Sequence, residues 1–541
     1  MSRTRPEMEI RNGYLRSYLE SPPSVTSNGA CNGGGLSLDQ FVDAADPSFV
    51  RRAVLPLALG NAADAVEILS AGYIISVFRD EDGNPLTSTE KELLTAAVFM
   101  GMLIGGVVAG NAGDILGRRY CLLISLSVTV TFGTLSALAP SIAWLIAARV
   151  IAGIGVGGSI PVVFTLGAEL FPTHIRGAMV SLIASFWMIG SIFAATAAWI
   201  LLGDGFGGDR IVPGATWRHY TLVAALPAGM ALLFTVLFVP ESPRFLAKAG
   251  RFDDMLIVLD RIANRHVHLP PEALIQSQNA RRSPLGADIP RWLHSRSGGL
   301  SYSHIRRDSS SDEIVDELGG ASSESKAISF VPKRGLLRLV WTEGNKKLQQ
   351  TTLTLVVVWF TLSFGSYGVS TWNNVLFADV GLSNPYLCSF IYCVASLPGN
   401  AASILLVERV GRRRLLSLSM TLAAASASLF AFGTRLGAPI VVLGGCLFNA
   451  FSTCGWNALD VVSTESFPTS SRTSGMGLVS AAGRLGSVAA QFVNGSLEDT
   501  VLLLLMVTSG LTLVGGMASL CLARDTRGVS LEDPASSSGE K

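Results

Sequence analysis

Long apolar runs separated by short polar loops dominate this chain of 541 residues. A helix needs about 20 mostly apolar residues to cross a hydrocarbon core about 30 Å thick. We place such runs at 54–78, 92–113, 120–140, 143–166, 178–202, 218–239, 351–377, 386–407, 415–434, 438–462, 474–497 and 500–523. The strands of a β-barrel would instead be short segments of alternating polarity. The pattern predicts an all-α membrane protein with twelve transmembrane helices in two six-helix bundles.

The polar segments around these runs divide the chain into five parts. We expect a polar tail at 1–50, a first bundle at 51–240, a central loop at 241–350, a second bundle at 351–523 and a tail at 524–541. The first tail lacks the apolar stretch and cleavage site of a signal peptide. The central loop is rich in serine and arginine, so we predict that it is partly disordered.

Lysine and arginine are unevenly shared between the two sets of loops. One set holds Arg118, Arg176, Arg412 and Arg472, and it shares its side of the membrane with both tails. Because positive loops stay in the cytoplasm, we predict a multi-pass protein with both termini cytoplasmic. The choice between the plasma membrane and a vesicle or other internal membrane stays open.

Composition narrows the function. Apolar residues make up 49% of the chain and charged residues 15%, against roughly a quarter charged in a soluble protein. A net charge of +1 excludes a nucleic-acid binder that works by bulk attraction. The sequence shows no metal-ligand cluster, nucleophile turn or phosphate loop in a soluble context. We therefore expect no enzyme, cofactor or metal site, and a monomer whose partners are a small-molecule substrate, a proton and the lipid bilayer.

The loops repeat between the two halves. Residues Asp114–Arg119 and Glu408–Arg413 both have an acid, two further residues, Gly, Arg and Arg, whereas Glu169–Arg176 and Glu465–Arg472 both have the pattern E-x-x-P-x-x-x-R. Acids and arginines at helix ends can pair within one half and release when the halves move, although the arginines alone would also set the topology. We predict gating residues at Gly110, Asp114, Gly117, Arg118, Arg119, Glu169, Arg176, Glu241, Arg244, Glu408, Arg412, Arg413, Glu465 and Arg472.

These loops, together with Pro240–Arg244, resemble the major facilitator superfamily, in the branch of sugar porters, organic-ion transporters and synaptic vesicle 2-related proteins. Residues Asn61–Glu67, Phe364–Gly368 and Gly483–Gly486 are similar to the synaptic vesicle 2-related group. The resemblance implies two pseudo-symmetric bundles, alternating access and a substrate site between the bundles near the middle of the membrane.

Two departures bear on the substrate. Ile115 stands where the family's loop usually has a basic residue, and the seventh run lacks the paired glutamines of hexose carriers. Trp456 lies nine residues before Glu465, too far back to match the tryptophan of those carriers. A hexose is therefore a less favoured substrate.

Two acids lie within the first run. Asp64 and Glu67 would each cost about 2.5–3.5 kcal/mol at mid-bilayer, so neither should face lipid. Their spacing of three residues places them on neighbouring parts of one helix face, which Asn61 shares. We predict that this face lines a cavity. The alternative, acids that reach the membrane surface, requires positions near a helix end.

The resemblance also implies a partner for the first acid. In proton-coupled sugar-porter relatives, the acid of the first span pairs with an arginine at the position that Arg149 matches. We carry over an Asp64–Arg149 pair as a hypothesis and assign proton coupling to Asp64, Glu67 and Arg149.

Other polar residues within the runs are candidate substrate ligands. Arg484 is suited to an anionic substrate or to a structural acid, and Asp460 to a cation or to neutralising Arg484. Trp359 is expected to face lipid. The full set of predicted substrate-binding residues is Asn61, Trp372, Asn373, Asn374, Asp460 and Arg484.

We therefore predict a secondary active transporter of a small organic ion or solute, coupled to protons. One alternative is a protein of the same fold that binds partners at a membrane or vesicle without moving solute. A second alternative is a proton symporter for sugar or phosphate.

Overall fold

The computed structural model describes residues 42–43, 45–79, 83–205, 209–263, 346–467 and 472–522. Most of the central loop, including the part predicted to be disordered, lies outside these residues. What is described is almost entirely helical.

The first bundle contains six membrane spans. Spans 1 to 5 are Pro47–Ile75, Ser88–Leu116, Arg118–Ser136, Ile142–Leu170 and Thr173–Leu202, and span 6 has two pieces, Trp217–Ala224 and Leu226–Phe238. Two short helices follow, Pro243–Lys248 and Phe252–Ala263.

The second bundle repeats this arrangement. Span 7 is Lys346–Asp379, span 8 has two pieces, Pro385–Val394 and Ser396–Val410, and spans 9 to 11 are Arg412–Leu436, Ala438–Ser466 and Arg472–Ser496. Span 12 is Val501–Ser519, after a short 3-10 turn at Glu498–Thr500.

Eleven of the described spans are long and apolar enough to cross a membrane. The remaining span is span 11, and its mean hydropathy is lower because it contains Arg484, Gln491 and Asn494. It packs against span 7 of its own half and span 2 of the other, so protein covers these polar side chains. The prediction of twelve helices in two bundles is confirmed.

The repeated loops have the same backbone shape. Gly117 and Gly411, which precede spans 3 and 9, have φ angles of +103° and +90°. A residue with a side chain is strained in this region of φ, whereas glycine is not. The matching pair explains why both loops carry glycine between the acid and the arginines.

The two ends of the bundle are packed differently. We call the end with Val42, Ala263, Lys346 and Leu522 the tail end, and the opposite end the far end. At the far end one apolar core joins both halves and includes Tyr73, Trp372 and Tyr386. At the tail end each half has its own core. The halves are therefore closed against each other at the far end and separated at the tail end.

Polar contacts reinforce the far-end seam. Ser76 Oγ lies 3.0 Å from Tyr386 Oη and accepts a hydrogen bond from Asn374 Nδ2 at 3.0 Å. Lys91 of the first half forms an ion pair with Glu498 of the second. Spans 1 and 7 cross so closely that a Cβ added at Gly72 would lie 1.8 Å from the carbonyl oxygen of Thr371.

Candidate functional site

A buried ion pair lies in the first bundle. Arg149 Nη1 donates to Glu67 Oε1 at 2.7 Å and to Ser70 Oγ at 2.9 Å. Arg149 and Glu67 are 0% and 3% exposed. The arginine of span 4 therefore binds the second acid of span 1, and both charges are shielded from lipid and water.

Asp64 has a different partner from the one predicted. Ser159 Oγ donates to its two carboxylate oxygens, at 2.8 and 2.9 Å. The expected Asp64–Arg149 pair is wrong, because the three-residue step along span 1 directs Glu67 toward Arg149 and Asp64 toward Ser159. Asp64 is within electrostatic range of Arg484 in the opposite half. The two acids thus face different charges.

Asn61 is engaged in helix packing. Its Nδ2 donates to the backbone oxygens of Ile183 and Ala184, at 2.9 and 3.2 Å. The side chain is 4% exposed. In this conformation Asn61 joins span 1 to span 5, and its amide does not face the space between the halves.

The three predicted residues of span 7 are also buried. Trp372 Nε1 donates to Gln491 Oε1 at 2.9 Å. Asn373 Oδ1 accepts from Ser389 Oγ at 3.4 Å, and Asn374 donates to Ser76 across the seam. These residues hold spans 7, 8 and 11 together and help to close the far end.

An aromatic cluster, which the sequence did not predict, lies where the two halves meet. Tyr367 of span 7 is 5.3 Å from Phe99, 6.2 Å from Trp187 and 5.7 Å from Trp456, measured between ring centroids. Arg484 lies over the Tyr367 ring, 5.8 Å from its centroid. The rings come from spans 2, 5, 7 and 10, so no pattern within one helix could reveal them. The nearest signal was the Phe364–Gly368 motif, which contains Tyr367.

Asp460 lines the space between the halves. Its side chain is exposed, and the guanidinium of Arg484 lies over the Tyr367 ring where the two halves meet. Arg484 is the charged group within its electrostatic range. Of the two roles predicted for Asp460, binding a cation and neutralising Arg484, both stay predictions.

Trp359 does not face lipid as expected. It is 9% exposed, and its Nε1 donates to Ser463 Oγ at 2.9 Å. Its ring also packs edge-on against Trp456. The indole N–H accounts for the error, because a buried partner on span 10 makes the interior the better place for it.

Both halves form the same ion pair at the tail end. Arg118 Nε lies 3.5 Å from Glu169 Oε2, and Arg412 pairs with Glu465 at the matching place in the second half. Arg176 Nε donates to Phe171 O and Arg413 Nη1 to Leu522 O. The side chains of Asp114, Glu408 and Arg472, and the surroundings of Gly110, lie outside the described part of the structure. Gating by these pairs stays a prediction.

Glu241 forms the N-terminal cap of span 3. Its carboxylate accepts from the backbone N–H of Arg119 at 3.0 Å and of Ser242 at 2.9 Å. Burial raises the pKa of the Glu241 carboxyl, and the backbone N–H groups that it accepts from oppose the shift. Arg119 Nη2 donates to Val236 O, and Arg244 lies in the helix that follows. Pro240–Arg244 therefore anchors the start of the central loop to the first bundle.

The chain resembles known proteins along most of its length. The family described as sugar (and other) transporter matches residues 64–280 and 290–534. The chain is 27% identical to synaptic vesicle glycoprotein 2C of Homo sapiens, over 87% of this chain and 78% of that protein. It is 25% identical to synaptic vesicle glycoprotein 2A of Rattus norvegicus, over 80% and 71%.

Solved structures share the fold. The partially occluded inward-open xylose transporter XylE from E. coli superposes with a TM-score of 0.64 at 17% identity, over 89% of this chain and 100% of that chain. A D-xylose-proton symporter superposes with a TM-score of 0.61 at 18% identity, over 89% and 99%. The family match spans most of the sequence and the fold agrees with it, so this chain belongs to the sugar (and other) transporter family of the major facilitator superfamily.

Proposed function

We propose that the protein is a secondary active transporter that moves a small organic ion or solute by alternating access, coupled to protons. The observation that carries the proposal is the burial of Asp64, Glu67 and Arg149 inside the first bundle. Ionisable groups inside a membrane protein are costly, and they mark proton and substrate pathways.

The arrangement of these charges fits proton coupling. Glu67 neutralises Arg149 within one bundle, and a proton on Glu67 would leave the arginine with an uncompensated charge. Breaking a buried ion pair costs about 3–5 kcal/mol, which exceeds the gap between two conformers of similar stability. Protonation of Glu67 would therefore change the balance between the two conformations.

Asp64 would add a link between the halves. Its negative charge attracts Arg484 of the second bundle. A proton on Asp64 removes that attraction, so the halves are freer to separate along this interface. We assign proton coupling to Asp64, Glu67 and Arg149, with Asp64 acting across the interface and Glu67 within the first bundle.

The space between the halves suits an organic ion. Asp460 and Arg484 offer one charge of each sign, and Tyr367, Trp187 and Trp456 offer ring faces. Ring faces bind cations and flat organic groups, whereas the span 7 amides that a hexose would need are occupied at the seam. We propose Asp460 and Arg484 as the substrate-binding charges in this conformation.

The relatives support further parts of the proposal. One solved relative is named a D-xylose-proton symporter, which favours a proton as the coupling ion. The curated relatives are named synaptic vesicle glycoproteins, which favours an internal vesicle membrane. Val42 and Leu522, the first and last described residues, lie at the end where the halves are separated, and we propose that this end faces the cytoplasm.

Two rival functions remain. The likeness to synaptic vesicle glycoproteins favours a membrane protein that binds partners without moving solute. The family name favours a proton symporter for sugar or phosphate. A partner-binding protein does not need the buried charges to take up protons. A sugar or phosphate symporter needs a sugar or phosphate, and not an organic ion, in the space beside Asp460.

A ligand screen tests the proposal. Purified protein is heated with sugars, phosphate, organic cations and organic anions at acidic and neutral pH. A ligand at 100 times its dissociation constant stabilises the folded protein by about 2.7 kcal/mol. We expect an organic ion to raise the melting temperature in a pH-dependent way. The shift should vanish in Arg484→Ala, lose its pH dependence in Asp64→Asn and persist unchanged in Asp499→Asn, a surface control. No shift with any class would favour the partner-binding protein, and a shift with sugar or phosphate alone would favour the second rival.

A further inference from the structure

Three fully buried polar atoms at the Glu67–Arg149 pair have no hydrogen-bond partner in the described part of the chain. They are Nε and Nη2 of Arg149 itself and the hydroxyl oxygen of the nearby Tyr220. Both residues are 0% exposed. Tyr220 belongs to the first piece of span 6 and lies within electrostatic range of Arg149 and Glu67. Buried polar groups of this kind are normally satisfied by ordered water.

A second tyrosine continues the row toward the far end. The Tyr73 ring meets the Tyr220 ring edge-on, with centroids 5.9 Å apart. Its hydroxyl approaches the side chains of Cys393 and Asn373 without completing a hydrogen bond of ordinary geometry. A second buried hydroxyl therefore has unused hydrogen-bonding capacity next to the first.

The row ends at the seam between the halves. The Tyr73 ring stacks on Tyr386 at 6.4 Å, and the Tyr386 hydroxyl is 3.0 Å from Ser76 Oγ. Asp204 and Arg210, in the loop at the far end, lie within electrostatic range of Tyr386. Phenol groups thus run from the middle of the first bundle toward the far end, on the side that is closed to larger molecules.

We propose that the hydroxyls of Tyr386, Tyr73 and Tyr220, with water between them, form a path by which a proton reaches Glu67 from the far end while that end is closed. Each hydroxyl accepts a proton from one neighbour as it gives its own to the next. One O–H bond breaks for each that forms, and the Glu67 carboxylate takes the last proton. No tyrosine remains charged.

The surroundings of Glu67 favour this direction of approach. Arg149 of span 4 and Asp64 of its own span are charged groups that face it, and Gly133 of span 3, which contacts the carboxylate, adds no side chain. Tyr220 of span 6 is the titratable neighbour on the far-end side. The proton would therefore enter from the far end, whereas the substrate space opens at the tail end. This path rests on the proposed function, because it supplies the proton that the proposed coupling uses.

Time-resolved infrared spectroscopy after a rapid fall in pH tests the path. The full chain is held in lipid nanodiscs, the proton is the only probe, and the carboxyl signal missing from Glu67→Gln identifies Glu67. We expect Tyr220→Phe and Tyr73→Phe to leave the size of this signal unchanged and to slow its appearance about tenfold, equivalent to about 1.4 kcal/mol of barrier. Tyr392→Phe is the matched control, because its buried hydroxyl already pairs with Ser370, and it should keep the parent rate.

The possible failures can be told apart. Parent rates in both Tyr220→Phe and Tyr73→Phe, with the Glu67 signal intact, would overturn the path and leave the proposed function standing. A parent spectrum from which Glu67→Gln removes nothing would overturn both, because Glu67 would then take no proton. Melting temperatures of all variants near that of the parent would show that the changed rates do not come from unfolding.

Discussion

Spans 1 and 7 occupy matching places in the two halves, yet their interiors differ in chemistry. Span 1 carries Asp64 and Glu67, and the arginine that neutralises one of them lies on span 4. Span 7 carries Trp372, Asn373 and Asn374 nearer the far end, all neutral and all hydrogen-bonded to neighbours.

This difference suggests that the two halves have different roles. A carboxylate can take up a proton and so lose its attraction for a neighbouring guanidinium, whereas an indole and two amides keep their hydrogen bonds at any physiological pH. The first half is therefore suited to proton coupling. The second half is suited to holding its helices in register and closing the far end.

The largest effect is expected from breaking the charged pair. Arg149→Met leaves Glu67 buried without a partner, which costs about 3–5 kcal/mol. The double variant Arg149→Met with Glu67→Gln removes both charges and should recover most of the loss. Thermal unfolding in detergent measures both. Equal losses in the single and double variants would show that the charge of Glu67 is not the cause.

A smaller loss is expected from the neutral site. Gln491→Leu removes the acceptor of the Trp372 N–H and leaves a buried donor unpaired, at a cost of about 1–3 kcal/mol. Unlike the loss in Arg149→Met, this one should be the same at acidic and neutral pH. Unfolding curves at the two pH values measure it, and a strong pH dependence would contradict the neutral assignment of the second half.

A side chain at position 72, where the protein has glycine, should prevent spans 1 and 7 from closing at the far end. A side chain there would collide with the backbone of Thr371, and overpacking costs about 1–3 kcal/mol, enough to shift two conformers 5- to 150-fold. Gly72→Val should therefore favour the form that is open at the far end. Spin labels at the exposed residues Lys248 and Thr464 would then move closer together at the tail end.

The matched control is Gly510→Val, because a Cβ at Gly510 meets nothing within 4 Å. It should leave the distance between the labels unchanged. An unchanged distance in Gly72→Val as well would mean that spans 1 and 7 do not govern closure.

The smallest effect concerns Glu241 at the tail end. Its pKa is raised above the ordinary 4.5 by burial, so the folded protein favours the protonated form. That contribution to stability is full below pH about 4.5 and is lost as the pH rises through the raised pKa. In melting temperatures measured over a series of pH values, Glu241→Gln should therefore lose less stability than the parent as the pH rises. A parent whose stability rises over the same window, by an amount that Glu241→Gln removes, would contradict the direction of the shift.

The sequence predicted much of the fold because a membrane imposes long apolar spans and because the loop motifs repeat. It also placed the two acids in the interior, since a lipid-facing charge is too costly. It could not assign their partners, because Asp64 and Glu67 are three residues apart and share a helix face. Only the neighbouring helices decide that Arg149 meets Glu67 and that Ser159 meets Asp64.

The aromatic cluster was missed for a related reason. Phe99, Trp187, Tyr367 and Trp456 lie on four different spans, and each looks like an ordinary apolar residue in its own helix. Their convergence depends on how the two halves pack. Trp359 was misplaced for the same reason, because its partner Ser463 lies on another span.

The most direct test of proton coupling is accumulation in proteoliposomes under a pH gradient, with the compound that stabilises the purified protein. We predict that the parent concentrates this compound above equilibrium, and that Asp64→Asn and Glu67→Gln exchange it across the membrane without concentrating it. Accumulation by both variants at the parent's rate and level would contradict the account, because the buried acids of the first half would then play no part in coupling.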